Sequence, residues 1–100
     1  MRAFFDMIPK IDNTYLLSIG YTLSAELNTE VLKRGLGDVS IEKNEKLFTS
    51  ATSLFESIGA WHDVAVTLRK YADFLDFIRR TRDADTCRSR ADKVDPYMNA

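Results

Sequence analysis

An all-α fold, four helices arranged as two antiparallel hairpins, is what this sequence predicts, and three observations carry the prediction. Apolar residues recur at steps of three and four in four separate windows, and no strand alternation competes with that period. The two prolines, Pro9 and Pro96, stand near the ends and leave the middle free of helix breakers. Gly35-x-Gly37 and Gly59 fall between windows, where a left-handed residue would end a helix.

Taken in order, residues 1–11 form an N-terminal tail carrying Phe4, Phe5, Met7 and Ile8, either packed back on the bundle or used as a partner or dimer segment. A first, elongated hairpin is expected over 12–58. Asp12 or Asn13 caps its first helix, whose apolar stripe is Leu16, Ile19/Gly20, Leu23, Leu27 and Val31. Gly35-Leu36-Gly37-Asp38 makes the turn, and Ser40 is the N-cap of the second helix. That helix carries Leu47, Ala51, Leu54 and Ile58, with Phe48 and Phe55 alongside, and stops at Gly59.

The second hairpin is expected over 60–95. Its first helix starts near Ala60–Asp63, where Asp63 suits the positive end of the helix dipole, and repeats Val64/Ala65, Leu68, Tyr71/Ala72, Leu75 and Ile78. Arg79-Arg80-Thr81-Arg82 places cations at the carboxyl end of that helix. Thr81 or Asp83 caps a short last helix with Ala84, Cys87, Ala91 and Val94 on its stripe, terminated by Pro96. Short connections between helices imply antiparallel neighbours.

The spacing Leu68-x-x-Tyr71-Ala72-x-x-Leu75, then Ala84, Ala91 and Pro96, resembles the 34-residue tetratricopeptide repeat. Ala51-x-x-Leu54-Phe55-x-x-Ile58-Gly59-Ala60 is similar to the second helix of a preceding repeat, as found in large bacterial regulatory proteins. Leu16-x-x-Ile19-Gly20-x-x-Leu23 echoes Leu68–Leu75 at an offset of 52 residues. The chain departs from the pattern at Arg88, where the family usually places an aromatic. A helical repeat cannot bury its apolar face alone and usually needs about three units. Two hairpins therefore imply a piece of a longer solenoid, or self-association through an exposed face.

The bulk numbers exclude several function classes. The chain has 100 residues, 45% hydrophobic and 29% charged, with net charge −1, so disorder is disfavoured and no global field attracts nucleic acid or acidic lipid. The single cysteine rules out an intrachain disulfide. No apolar run reaches membrane-spanning length and no signal-peptide core forms, so a soluble cytoplasmic protein without membrane contact is expected.

Catalytic chemistry finds little support. His62 lacks an orienting partner on its own face and reads as a surface histidine at a helix start. Cys87, on an apolar stripe, reads as a small buried hydrophobe, although Arg88 and Arg90 would lower its pKa if it were exposed. No zinc spacing, calcium loop or phosphate cradle is present, so neither metal nor cofactor is expected. Asp73 and Asp76 read as local helix pairs of Arg69 and Lys70. Arg79, Arg80, Arg82, Arg88 and Arg90 are interleaved with Asp83, Asp85 and Asp92, which fits a solvated charged turn better than a phosphate site.

A binding module for a protein or peptide remains, with a structural or homo-oligomeric unit of a larger regulator as the alternative. The resemblance implies that the first helix of each repeat lines a concave surface. By position it offers Val66, Arg69, Asp73, Asp76 and Phe77 from the third helix, and Leu17, Tyr21, Ser24 and Asn28 from the first. The family's carboxylate clamp needs a basic residue and an asparagine four positions on, whereas Arg69 is followed by Asp73.

Overall fold

The computed structural model describes residues 10–97, with side chains from Asn13 onward, and these residues form four helices. They are α1 (Lys10–Arg34), α2 (Ile41–Ser57), α3 (Trp61–Phe77) and α4 (Thr81–Val94). The fold is all-α, as the periodicity predicts. The Phe4–Ile8 segment lies outside the described residues.

Helix ends follow local chemistry. Ser40 caps α2, its hydroxyl accepting from the Lys43 amide at 3.2 Å. Asp12 and Asn13 do not cap α1, because the helix already runs through them from Lys10. The cap of α4 is Arg80 rather than Thr81 or Asp83, and no side chain caps its first amides. Asp83 instead receives Arg80 Nε at 2.8 Å. At the other ends, α1, α2 and α3 stop in the same way. A left-handed residue (Gly35 φ 64°, Gly59 φ 70°, Arg79 φ 67°) donates back one turn, and the next amide reaches the carbonyl five residues before it.

In each consecutive pair of helices, residue numbers in contact rise on one helix as they fall on the next. Along α1 and α2, Tyr15 meets Phe55 while Asn28 and Thr29 meet Asn44. Between α2 and α3, Phe55 packs with Val64 and Phe48 with Phe74. Between α3 and α4, His62 and Arg69 reach Asp95 while Asp76 reaches Arg88. One core cluster joins Phe55, Val64, Ala65, Leu68 and Ala91; a second joins Ala25, Phe48 and Phe74; a third joins Ala72, Leu75 and Ala84. The alanines Ala72, Ala84 and Ala91 are fully buried, so α3 and α4 approach closely where the sequence places small residues. The Phe48 ring stacks on Tyr71 (5.2 Å between centroids, 13° between planes) and tilts against Phe74 at 5.8 Å.

The apolar stripe of α1 is a correction. Leu16, Leu23 and Leu27, expected in the core, are 61%, 57% and 65% exposed. The buried positions are Ser18, Thr22, Ala25 and Thr29. At 100° per residue the leucines span about 40° of the helix and the buried set about 60°, and the two sets lie on roughly opposite sides. The physical reason is space. α2 and α3 bring Phe48, Phe55 and Phe74 to this contact, and small residues on α1 let the helices close on those rings. The three hydroxyls bond to carbonyls four residues back, on Thr14, Ser18 and Ala25, so their burial leaves no donor unpaired. The register of the internal echo changes with it. Ser18, Thr22 and Ala25 occupy the places of Leu68, Ala72 and Leu75, an offset of 50 (68 − 18, 72 − 22, 75 − 25) rather than 52.

Most ion pairs among the described residues bridge helices, beside local pairs such as Glu30–Arg34 and Arg80–Asp83. Lys70 of α3 meets Glu26 of α1, Arg90 of α4 meets Glu56 of α2, and Arg80 meets Glu45 at 2.6 Å. Asp73 and Asp76 do not pair with Arg69 and Lys70, as their spacing suggests. Both accept from Arg88 of α4, at 2.9 and 2.6 Å. Arg88, where the repeat pattern has an aromatic, thus ties α4 to α3 by charge. These pairs are part-exposed, so each adds little stability.

Candidate interaction surface

Three overlapping faces of α1 define the surface, with Thr22 shared by the first two and Leu23 by the last two. The inner group just described packs on α2 and α3. A second group faces α3 across a groove. Ile19, Thr22 and Leu23 stand opposite Val66, Thr67 and Lys70 over the ring of Phe55, enclosing about 120 Å³. The groove continues past the Lys70–Glu26 ion pair into a space of about 210 Å³ over Phe48, lined by Glu30, Lys33 and Asp73. One half is apolar and the other carries both signs of charge.

The third group is the outward ridge of Leu16, Gly20, Leu23 and Leu27. Gly20 is exposed, and a Cβ built there meets no atom within 4 Å. Leu17, also half-exposed, sits beside the ridge. From Thr14 to Ala25 the sequence holds no charged residue. A ridge of leucines over three turns, with a glycine between them and uncharged neighbours as far as Ala25, can receive another helix.

The residues expected on a concave face are split among different surroundings. Val66 and Asp73 do line the α1–α3 groove. Leu17 and Tyr21 lie on the opposite flank of α1, beside Thr49, Ser50, Ser53 and Leu54 of α2. Ser24 is exposed. Asn28 donates to Asn44 Oδ1 at 3.3 Å, and Asn44, fully buried, donates to Thr29 Oγ1 at 3.2 Å, a polar lock between α1 and α2. Arg69 turns to α4 and grips Asp95 at 2.8 Å and Asp92 at 3.0 Å. Asp76 is held by Arg88, and Phe77 is exposed at the end of α3. The ridge leucines were visible in the sequence, but their periodicity suits a core as well as a surface. The competing signal was the Ser18-Thr22-Ala25-Thr29 series at the same spacing.

The titratable groups are occupied by packing. The Arg69 guanidinium holds the Asp95 carboxyl below its ordinary range, against the opposing effect of burial and with help from the Tyr97 amide. His62 Nδ1 lies 3.4 Å from the same carboxylate, and its ring meets Tyr97 edge-on at 4.7 Å, so Asp95 gathers the chain end around itself. Burial pushes the Cys87 thiol up despite the nearby Arg90. The Asp63 carboxylate raises Tyr15, whose hydroxyl donates to it at 3.3 Å. Tyr71 is raised strongly by burial and by the Glu45 carboxylate that its hydroxyl donates to.

Among the described residues no group of three histidines, cysteines or carboxylates could hold a metal ion, and no helix is long and apolar enough to cross a membrane. Of the arginines weighed for phosphate, Arg80, Arg88 and Arg90 face carboxylates of the same chain. No protein-family model, no curated protein and no solved structure matches this chain.

Proposed function

We propose that the chain is a non-catalytic interaction module that docks a protein helix on the outward face of α1. One observation carries the reading: α1 buries serine and threonine and presents leucine to solvent. Full burial of a leucine contributes about 1.5–3 kcal/mol, and each ridge leucine keeps over half its surface exposed, so docking gains what folding leaves unused. The mixed charges of the adjoining groove, Glu26, Glu30, Lys33 and Lys70, would orient a partner rather than hold it.

The antiparallel tetratricopeptide-type hairpin stays part of this proposal. The opposed numbering of contacting residues, the close approach at Ala72, Ala84 and Ala91 and the repeated turn geometry support it. A scaffold or regulatory role in a larger protein, soluble and cytoplasmic, agrees with it.

The experiment compares the full chain with Leu23→Glu and Arg69→Glu, titrating a fluorescent leucine-faced amphipathic helix by anisotropy. Leu23→Glu should lose binding with unchanged helicity. Arg69→Glu should lower the melting temperature, since Asp92 and Asp95 lose their partner, without acting on the docking face. Equal binding by wild type and Leu23→Glu would remove the proposal.

A further inference from the structure

We infer that the helix docked on this ridge is α1 of a second copy of the chain, lying antiparallel across a two-fold axis between Gly20 and Leu23. The inference rests on the docking reading above and names its partner. A two-fold contact must be self-complementary, residue i meeting j and j meeting i. About a centre between positions 20 and 23, Leu16 faces Leu27 of the second copy, and Leu23 faces its Gly20. The same two contacts recur on the other side of the axis. Each Leu23 fills the open space over a Gly20, where a Cβ would meet nothing within 4 Å, and each end closes with a leucine pair. The ridge thus carries its own knobs and holes.

Charge selects the direction. A parallel pair would set Glu26, Glu30 and Arg34 against their own copies, with Gly20 over Gly20 leaving a gap and Leu23 abutting Leu23. The antiparallel pair keeps Glu26, Glu30 and Arg34 away from their own copies: Glu26 comes opposite Leu17 and Glu30 opposite Asn13, with Lys33 opposite Lys10 the one like-charged pairing among positions 10–33. Leu16, Leu23 and Leu27 are each more than half exposed, and Leu23 also forms part of the rim of the α1–α3 groove, so among the described residues the ridge is open to a second helix from the solvent side. Size sets the strength. From Leu16 to Leu27 the ridge runs roughly 17 Å, and about ten residues a side is half of a standard interface. The dimer is therefore expected to dissociate in the micromolar range rather than to be permanent.

Sedimentation velocity on the full chain over a range of micromolar concentrations tests this, with far-UV circular dichroism confirming the fold of each variant. The wild type should shift from monomer to dimer. Gly20→Leu, which meets open space in the monomer, and Leu23→Gly should each weaken the dimer by about tenfold or more. The double variant Gly20→Leu/Leu23→Gly exchanges knob and hole at symmetry-related positions and should restore association to within about threefold of wild type. A dimer indifferent to Gly20→Leu, or a double variant weaker than both singles, overturns the inference. A wild type that stays monomeric overturns it too. If that monomer still binds the leucine-faced peptide and loses it in Leu23→Glu, the docking reading stands with another occupant; if it does not bind, both fall.

Discussion

Replacing Arg79 by glycine should stabilise the protein, and the three equivalent turns allow the size to be worked out. Gly35, Gly59 and Arg79 share a left-handed backbone within a few degrees, φ 64°, 70° and 67°. They also share one hydrogen-bond pattern. Gly35 N donates to Leu32 O, Gly59 N to Glu56 O and Arg79 N to Asp76 O, at 3.2, 3.1 and 3.0 Å. The following amide reaches Val31 O, Phe55 O or Leu75 O, at 3.0, 3.0 and 2.8 Å. An L-residue pays about 1–2 kcal/mol for this conformation, whereas glycine loses more backbone entropy on folding by about 0.5–1 kcal/mol. The difference leaves Arg79→Gly more stable by about 0.5–1 kcal/mol, a rise of roughly 2–8 °C in melting temperature for a chain of this size. Gly35→Ala and Gly59→Ala should lose a similar amount. A new Cβ meets nothing within 4 Å at Gly35 and only Trp61 Nε1, at 3.9 Å, at Gly59, so no clash contaminates the comparison. Thermal and urea unfolding followed at 222 nm, at one fixed protein concentration, measure all three. A lower melting temperature for Arg79→Gly would mean that the exposed guanidinium outweighs the backbone strain, and the reasoning would fail.

Three further outcomes follow from the packing. Thr29→Val should cost about 1–3 kcal/mol, because it strips the buried Asn44 amide of its acceptor; Thr22→Val, whose hydroxyl serves only its own helix, should be close to neutral, and equal urea midpoints for the two would contradict the Asn44 lock. Cys87 should react with a disulfide reagent near pH 8 more slowly in the folded chain than in urea, since burial raises its pKa and lowers the thiolate fraction; equal rates would argue against that burial. Asp95 has a folded pKa below its ordinary value, so its stabilising effect is present above the ordinary carboxylate range and is lost as pH falls through the lowered one. Asp95→Asn should therefore be less stable than wild type at neutral pH, with the gap between their urea midpoints closing as pH drops below about 4. A gap that persists into strong acid would assign the effect to packing instead of charge.

The sequence by itself determined that four helices form and roughly where they stop. Periodicity, Ser40, Gly35 and Gly59 are local signals, and their physics is decided within a turn or two of chain. The same holds for most of the core of α3 and α4, where Leu68, Ala72, Leu75, Ala84 and Ala91 stand on the face that their spacing indicates. In α2, by contrast, the buried face carries Phe48, Ala51, Thr52 and Phe55, and the expected Leu47, Leu54 and Ile58 are only part-buried. Arg79 escaped because no local rule demands a left-handed arginine; the closed α3–α4 turn imposes it. Tertiary structure decided which face of α1 turns inward and where each charge goes. Two stripes, Leu16-Gly20-Leu23-Leu27 and Ser18-Thr22-Ala25-Thr29, have the same period, and hydrophobicity alone favours burying the first. The second wins because helix packing is limited by volume. The phenylalanines of α2 and α3 already fill the interface, and hydroxyls that bond back to their own helix can be buried without an unpaired donor. Likewise Arg69, Asp73 and Asp76 have partners three or four residues away in sequence, yet they reach across to α4, where the geometry between helices brings opposite charges closer. Which leucines remain outside, and hence the surface available to a partner, is thus a property of how four helices share space.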